Sequence, residues 1–93
     1  MIYDVFYNNL PYIDLHGYDR ESARVKTEDF IIENILLKNK KILIIHGIGQ
    51  GIVKESVYRV LKRNKSVVSY KIDIYNPGCT IVEIKFDICR NKI

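Results

Sequence analysis

The chain has 93 residues, 47% of them hydrophobic and 28% charged, which is room for one small domain that buries ~60–65% of its unfolded surface and leaves none for a second. Its longest apolar runs, such as the four residues from Ile42 to Ile45, are far too short to span a bilayer. Asp4 and two asparagines interrupt the segment where a secretion signal would need an apolar stretch, so the expected compartment is the cytoplasm, with no membrane partner.

A net charge of +4 at pH 7 favours an anionic partner, since basic surfaces attract nucleic acids by releasing counterions. Mild basicity also serves solubility, so charge alone does not choose between the two. Cys79 and Cys89 match neither a redox pair nor a zinc knuckle, and are expected to be reduced, structural thiols.

Residues 1–11 carry Tyr3, Phe6 and Tyr7 and then an Asn-Asn-Leu-Pro break. They read as an extended arm able to pack on the domain or on a second copy, which leaves a homodimer open. Tyr12 to His16 reads as a strand, with Asp14 and His16 on one face and Ile13 and Leu15 on the other. Asp19 then suits a helix N-cap, and Ala23, Thr27, Phe30, Ile31 and Ile35 share one face of a helix from Arg20 to about Leu37. Asn39 and Lys38, Lys40 and Lys41 are expected to end it.

Ile42 to Ile45 has the unbroken apolarity of a central strand covered on both faces, and it delivers His46 to the sheet edge. A strand, a helix and a strand predict parallel pairing through a right-handed crossover. After Gly47, Gly49 and Gly51, a second helix presents Val53, Val57, Val60 and Leu61 as its buried stripe. Val68, Tyr70, Ile72 and Ile74 alternate as a third strand, Asn76-Pro77-Gly78 makes a turn, and Thr80 to Phe86 forms a fourth strand in an antiparallel hairpin with the third. The expected fold is an α+β two-layer sandwich, β-α-β-α-β-β, with two helices on a four-stranded mixed sheet. The expected organisation is an arm at 1–11, a domain at 12–88 and a tail at 89–93.

The chain has two histidines, and both follow apolar residues and precede glycine where a strand ends. If the two strands are parallel neighbours, His16 and His46 both lie at carboxyl ends, where open α/β sheets place ligands. An imidazole there suits proton transfer, and Asp14 shares a face with His16. The bland reading is that a strand-end histidine caps a neighbouring backbone and an aspartate fixes a turn. The glycine ladder has the logic of an anion site, with inward amides, a helix N-terminus and Lys54 in the first turn. Three glycines also serve a tight strand-to-helix connection, and spacing does not separate these readings. The pattern lacks the Gly-Lys-Ser/Thr of a phosphate loop and has its third glycine one position too early for a dinucleotide site. Two histidines and Asp14 have no metal-ligand spacing, so no metal is assigned, although a divalent cation stays open. Tyr12 and Tyr18, flanking the first histidine, are either stacking platforms for bases or ordinary half-buried aromatics.

From Tyr12 to Ile84 the chain resembles the small MutS-related, or Smr, domain. The resemblance rests on Ile13-Asp14-Leu15-His16-Gly17, on Ile44-Ile45-His46-Gly47-Ile48-Gly49-Gln50-Gly51 after one helix, and on Gly78-Cys79-Thr80-Ile81-Val82-Glu83-Ile84 after another. It implies a fold similar to the C-terminal domain of translation initiation factor three and a nucleic-acid role, since members include DNA-nicking and RNA-cleaving endonucleases, some acting on messenger RNA at stalled ribosomes. Asp14 and His16 correspond to its first box, and His46, Gly47, Gly49 and Gly51 to its second. Val53-Lys54 stands where the family usually has Leu-Arg, keeping the charge but losing the planar fork, and Asn76-Pro77-Gly78 replaces a longer glycine-rich stretch. The expected function is an endonuclease acting on RNA more than DNA, with Asp14, His16 and His46 catalytic and Gly47, Gly49, Gly51 and Lys54 holding phosphate. The alternative is a nucleic-acid-binding module without catalysis.

Overall fold

The elements run β1 (Tyr12–Asp14), α1 (Arg20–Leu36), β2 (Lys41–Ile45), α2 (Ile52–Arg63), β3 (Val67–Ile72) and β4 (Cys79–Ile84), in a computed structural model that describes residues 10–49 and 51–85. The expectations for Tyr3, Phe6 and Tyr7, for Phe86, for Cys89 and for the tail lie outside the described residues. The four strands form one mixed sheet in the order β1-β2-β4-β3, with β1 and β2 parallel and β4 antiparallel to both of its neighbours. This is the expected α+β architecture. Among the described residues no helix is long and apolar enough to cross a membrane.

Helix α1 begins because the Asp19 carboxylate accepts the Ser22 N–H at 2.7 Å, satisfying one of the amides that a helix start leaves open. Its inner face carries Ala23, Thr27, Ile31 and Asn34. The two polar members are buried without cost in unmade bonds. The Thr27 hydroxyl donates to the Ala23 carbonyl at 2.7 Å and the Asn34 amide to the Phe30 carbonyl at 2.8 Å. The end is set by geometry more than by charge. The Lys38 N–H bonds to the Ile35 carbonyl and the Asn39 N–H to the Asn34 carbonyl, with Lys38 in the left-handed region at φ 63°. That pair of bonds is a Schellman stop, and the expected lysines lie beyond the last turn.

Helix α2 buries the predicted stripe of Val53, Val57, Val60 and Leu61, with Ser56 added. The Ser56 hydroxyl donates to the Arg20 carbonyl at 2.8 Å, which ties the starts of the two helices together. Beneath them Leu15, Ile42, Ile44 and Val82 are fully buried, each with 0% exposure, and each large aliphatic side chain so placed contributes about 1.5–3 kcal/mol.

Two strand ends and one register depart from expectation. Strand β1 stops at Asp14 and not at His16: after the Leu15 N–H bonds the Ile45 carbonyl at 2.7 Å, the Leu15 carbonyl turns to the Tyr18 N–H at 3.1 Å and the Gly47 N–H to the Gly78 carbonyl at 2.9 Å, so the ladder has no next rung. Strand β4 ends at Ile84. In β3 the register steps from Val67↔Ile84 to Ser69↔Glu83, so Val68 is the extra residue of a bulge. Val67, Tyr70 and Ile72 are therefore the half-buried positions, while Val68 is 58% exposed and Ile74, beyond the strand, 82%.

Candidate functional site

Asp14 and His16 form the first part of the site. With the carboxylate accepting, His16 Nδ1–H donates to Asp14 Oδ1 at 2.7 Å, which leaves Nε2 as the nitrogen free to exchange protons. Both side chains are exposed, at 72% for His16 and 48% for Asp14. The hydrogen bond to Asp14 and then its negative charge raise the His16 pKa above its ordinary 6.5. The same bond, from the other side, lowers the Asp14 pKa below its ordinary value. An ionised carboxylate thus orients an imidazole and raises its basicity.

His46 is built differently. Its side chain is buried, and both ring nitrogens are engaged. The Gly47 carbonyl can only accept, so Nδ1–H donates to it at 2.9 Å, and Nε2 accepts the Thr80 hydroxyl proton at 2.7 Å. The Tyr58 hydroxyl in turn donates to Thr80 Oγ1 at 2.9 Å. The Tyr58 ring meets His46 edge-on at 6.1 Å and Tyr70 at 5.2 Å between centroids. Burial holds the His46 pKa below 6.5, opposed by the Gly47 bond and reinforced by the Lys54 charge, so the ring is neutral at pH 7. Thr80 and Tyr58 were not singled out by the sequence reading. The available signal was Thr80 itself, a polar residue in the inward-facing series Thr80, Val82 and Ile84, all at 2% exposure or less.

Strand register explains why two similar tripeptides have such different surroundings. Ile13 pairs with Ile44 and Asp14 with Ile45, so continuing the count sets Leu15 beside His46 and His16 beside Gly47. Side chains alternate along a strand, and the odd offset sends His46 inward with Leu15 while His16 faces outward with Asp14. The two imidazoles nevertheless line one cavity of about 380 Å³.

Its floor is the glycine turn. Gly47 has φ +82°, and a Cβ there would sit 3.2 Å from the His16 Cβ, so only glycine lets the two boxes approach this closely. The Gly78 carbonyl holds the turn from the far side, accepting the N–H groups of His46 and Gly47 at 2.9 Å each. Gly51 is the residue before α2, at φ +84°, and makes no side-chain cap bond to the helix's first amides. Gly49 is under neither constraint: it lacks a positive φ and a Cβ there would meet nothing within 4 Å.

The remaining candidates divide. Gly47, Gly49 and Gly51 line the cavity with the histidines. Lys54 is not among its lining residues, and its ammonium sits over the Tyr58 ring, 5.6 Å from the centroid. Asp14 reaches the cavity through His16. Tyr18 lines the cavity, whereas Tyr12 does not and is 61% exposed on β1. Asp14 and His16 are adjacent donors, but among the described residues no group of three His, Cys, Asp or Glu side chains gathers as a metal cluster.

Comparison with known proteins bears on the family and the fold. The Smr domain description matches residues 13–85. The endonuclease MutS2 of Staphylococcus saprophyticus is 37% identical over 76 residues, which are 78% of this chain and 10% of that protein. The endonuclease MutS2 of Clostridium tetani is 36% identical over the same length, so the chain spans about a tenth of the length of these relatives. Among solved structures, the Smr domain of Thermus thermophilus MutS2 superposes with a TM-score of 0.79 at 23% identity, covering 82% of this chain and 99% of that one. YdaL, a stand-alone small MutS-related protein from Escherichia coli, has a TM-score of 0.75 at 24% identity, covering 80% of this chain and 63% of that one. On the match across residues 13–85 and the identity to these relatives, the chain belongs to the Smr domain family.

Proposed function

We propose that this chain is an endonuclease that cleaves RNA in preference to DNA, with His16 as the proton acceptor, Asp14 as its orienting partner and the Gly47–Gly51 turn as the phosphate cradle. The observation that carries the reading is the 2.7 Å bond between Asp14 and an exposed His16 on the wall of a cavity whose floor is glycine backbone. Gly49 supports it, because neither the backbone nor crowding asks for glycine there, whereas close approach of a phosphate to the amides does. The relatives named as endonucleases point the same way.

RNA is favoured because it brings its own nucleophile. His16 Nε2 takes the proton of the ribose 2′-hydroxyl, and the 2′-oxygen attacks the adjacent phosphorus. The bond to the 5′-oxygen breaks, and that oxygen leaves as a hydroxyl after protonation by solvent in the open cavity. Amides of the turn and of the start of α2 stabilise the charge that grows on the phosphoryl oxygens. His46 holds the Gly47 carbonyl and so sets the turn.

The test is cleavage of single-stranded and structured RNA and DNA by the wild type and by His16→Ala, with and without chelator. The expected loss in His16→Ala is about 10²–10⁴-fold; an unchanged rate defeats the assignment. The engagement of both His46 nitrogens favours a second reading, a module that grips the backbone without cutting. It is recognised by steeply salt-dependent binding with no product.

A further inference from the structure

The cavity has a rim that the cleavage chemistry leaves unused. Tyr18, Ile48 and Ile52 line it and remain 39%, 69% and 41% exposed. Single exposed apolar side chains are ordinary, but here three large ones stand on the lip of one concave site. Ile48 is the clearest case. It sits on the turn between Gly47 and Gly49, where a polar residue would satisfy the backbone equally well, and most of its surface faces water.

Size and chemistry together identify what fits. At about 380 Å³ the cavity displaces on the order of ten water molecules, more than a phosphate needs, and it lies in the range of small-ligand pockets, roughly 300–1,000 Å³. Among the described residues its lining holds no Lys, Arg, Asp or Glu, which suits an uncharged group beyond the phosphate. The rim offers one aromatic ring and two aliphatic side chains, which suit the face of a flat ring better than a patterned edge.

We propose that Tyr18, Ile48 and Ile52 form a subsite for an unpaired nucleobase adjoining the phosphate on the glycine turn, so that the chain selects single-stranded nucleic acid. The inference rests on the reading that the cavity takes a phosphodiester. In a duplex both faces of each base are covered by its neighbours, and only the edges are open. An unpaired base exposes its face, and stacking on aromatic and apolar groups tolerates any base. The selection is therefore for strandedness and not for sequence.

The test is fluorescence anisotropy with the full chain and a labelled 12-nucleotide RNA, single-stranded or annealed to its complement, 2′-O-methylated throughout to block attack. A 2-aminopurine at each position in turn reports base stacking. The single strand is expected to bind more tightly. Ile48→Ser and Tyr18→Ala should each reduce that preference on the order of tenfold, Tyr18→Phe should keep it, and the salt dependence should be unchanged in all three, because no phosphate contact is removed. Equal affinity for both forms, or variants that leave the preference intact, overturns the subsite even if cleavage of unmodified RNA persists. A preserved preference with no cleavage of unmodified RNA supports the subsite and overturns only the cleavage assignment, whereas absence of binding to either form overturns both.

Discussion

The same local pattern, an apolar residue followed by His-Gly at a strand end, produces an exposed imidazole–carboxylate hydrogen bond at one position and a buried hydrogen-bond chain at the other. At His16 the imidazole stands in water, with one nitrogen bonded to Asp14 and the other open. At His46 the ring is 3% exposed and both nitrogens are spent on Gly47 and Thr80. Environment moves their pKa values in opposite directions, upward through the Asp14 bond and downward through burial. A proton carrier needs an accessible nitrogen, which His16 keeps at Nε2, and a scaffold needs both nitrogens engaged, which His46 has. Residues of equal chemistry at similar positions therefore take different work, and the division follows from which side of the sheet they occupy.

The comparison breaks most sharply at Asp14. In Asp14→Asn the imidazole keeps its access but loses the charge that orients it, and cleavage should fall about 10- to 100-fold. The pH profile carries the sharper test. A base works when deprotonated, so wild-type activity rises as pH passes the raised His16 pKa. Removing the carboxylate destabilises the imidazolium and moves that limb to lower pH, towards 6.5. A limb that stays in place would assign it to another group.

On the buried side, Thr80→Val removes the link between His46 and Tyr58. The cost should be about 1–3 kcal/mol, because a buried nitrogen loses its only donor there, and urea denaturation at pH 7 measures it. The two histidines also predict opposite pH effects on stability. The folded pKa of His46 is lowered, so the unfolded chain takes a proton near pH 6.5 that the folded chain refuses. The His46 contribution is complete above that pH and is lost as pH falls through the folded value. Between pH 7 and pH 5 the wild type should therefore lose more stability than His46→Gln. His16 has the reverse sign, contributing below 6.5 and losing the contribution as pH rises through its raised folded value. Its exposure keeps that effect small.

The smallest expected effect lies away from the site, at the Schellman stop of α1. Lys38 occupies φ 63°, a conformation that costs a side-chain-bearing residue about 1–2 kcal/mol. Lys38→Gly relieves this but loosens the unfolded chain, for a net gain of about 0.5 kcal/mol. Activity should not change, which separates a general gain in stability from any effect on the two histidines.

Much of the architecture was legible in the sequence. The run of Ile42 to Ile45 without a polar interruption marked a central strand, and it lies between β1 and β4. The spacing of Val53, Val57, Val60 and Leu61 marked the inner face of α2. Asp14 and His16 two residues apart marked a shared face, and the carboxylate bonds the ring. Each of these is a local statement, set by a periodicity of two or 3.6 residues within one element. Ile74 lies past the end of the strand at Ile72, and the alternation assigned to Val68 failed for a non-local reason, since the bulge in β3 exists only against its partner β4.

The chemistry of the two His-Gly boxes lay across that same boundary. The elements, their order, the carboxylate beside His16 and the glycines after His46 can be read along the chain, because each depends on neighbours within a few residues. The pairing of β1 with β2 that puts Asp14 opposite Ile45 is settled between strands, and this offset sets His16 against Gly47 and turns His46 inward to Thr80 and Tyr58. A shift of one residue exchanges the two faces of a strand. Register is chosen by the packing of Leu15, Ile42, Ile44 and Val82 beneath the helices, and no single segment of the chain carries that information.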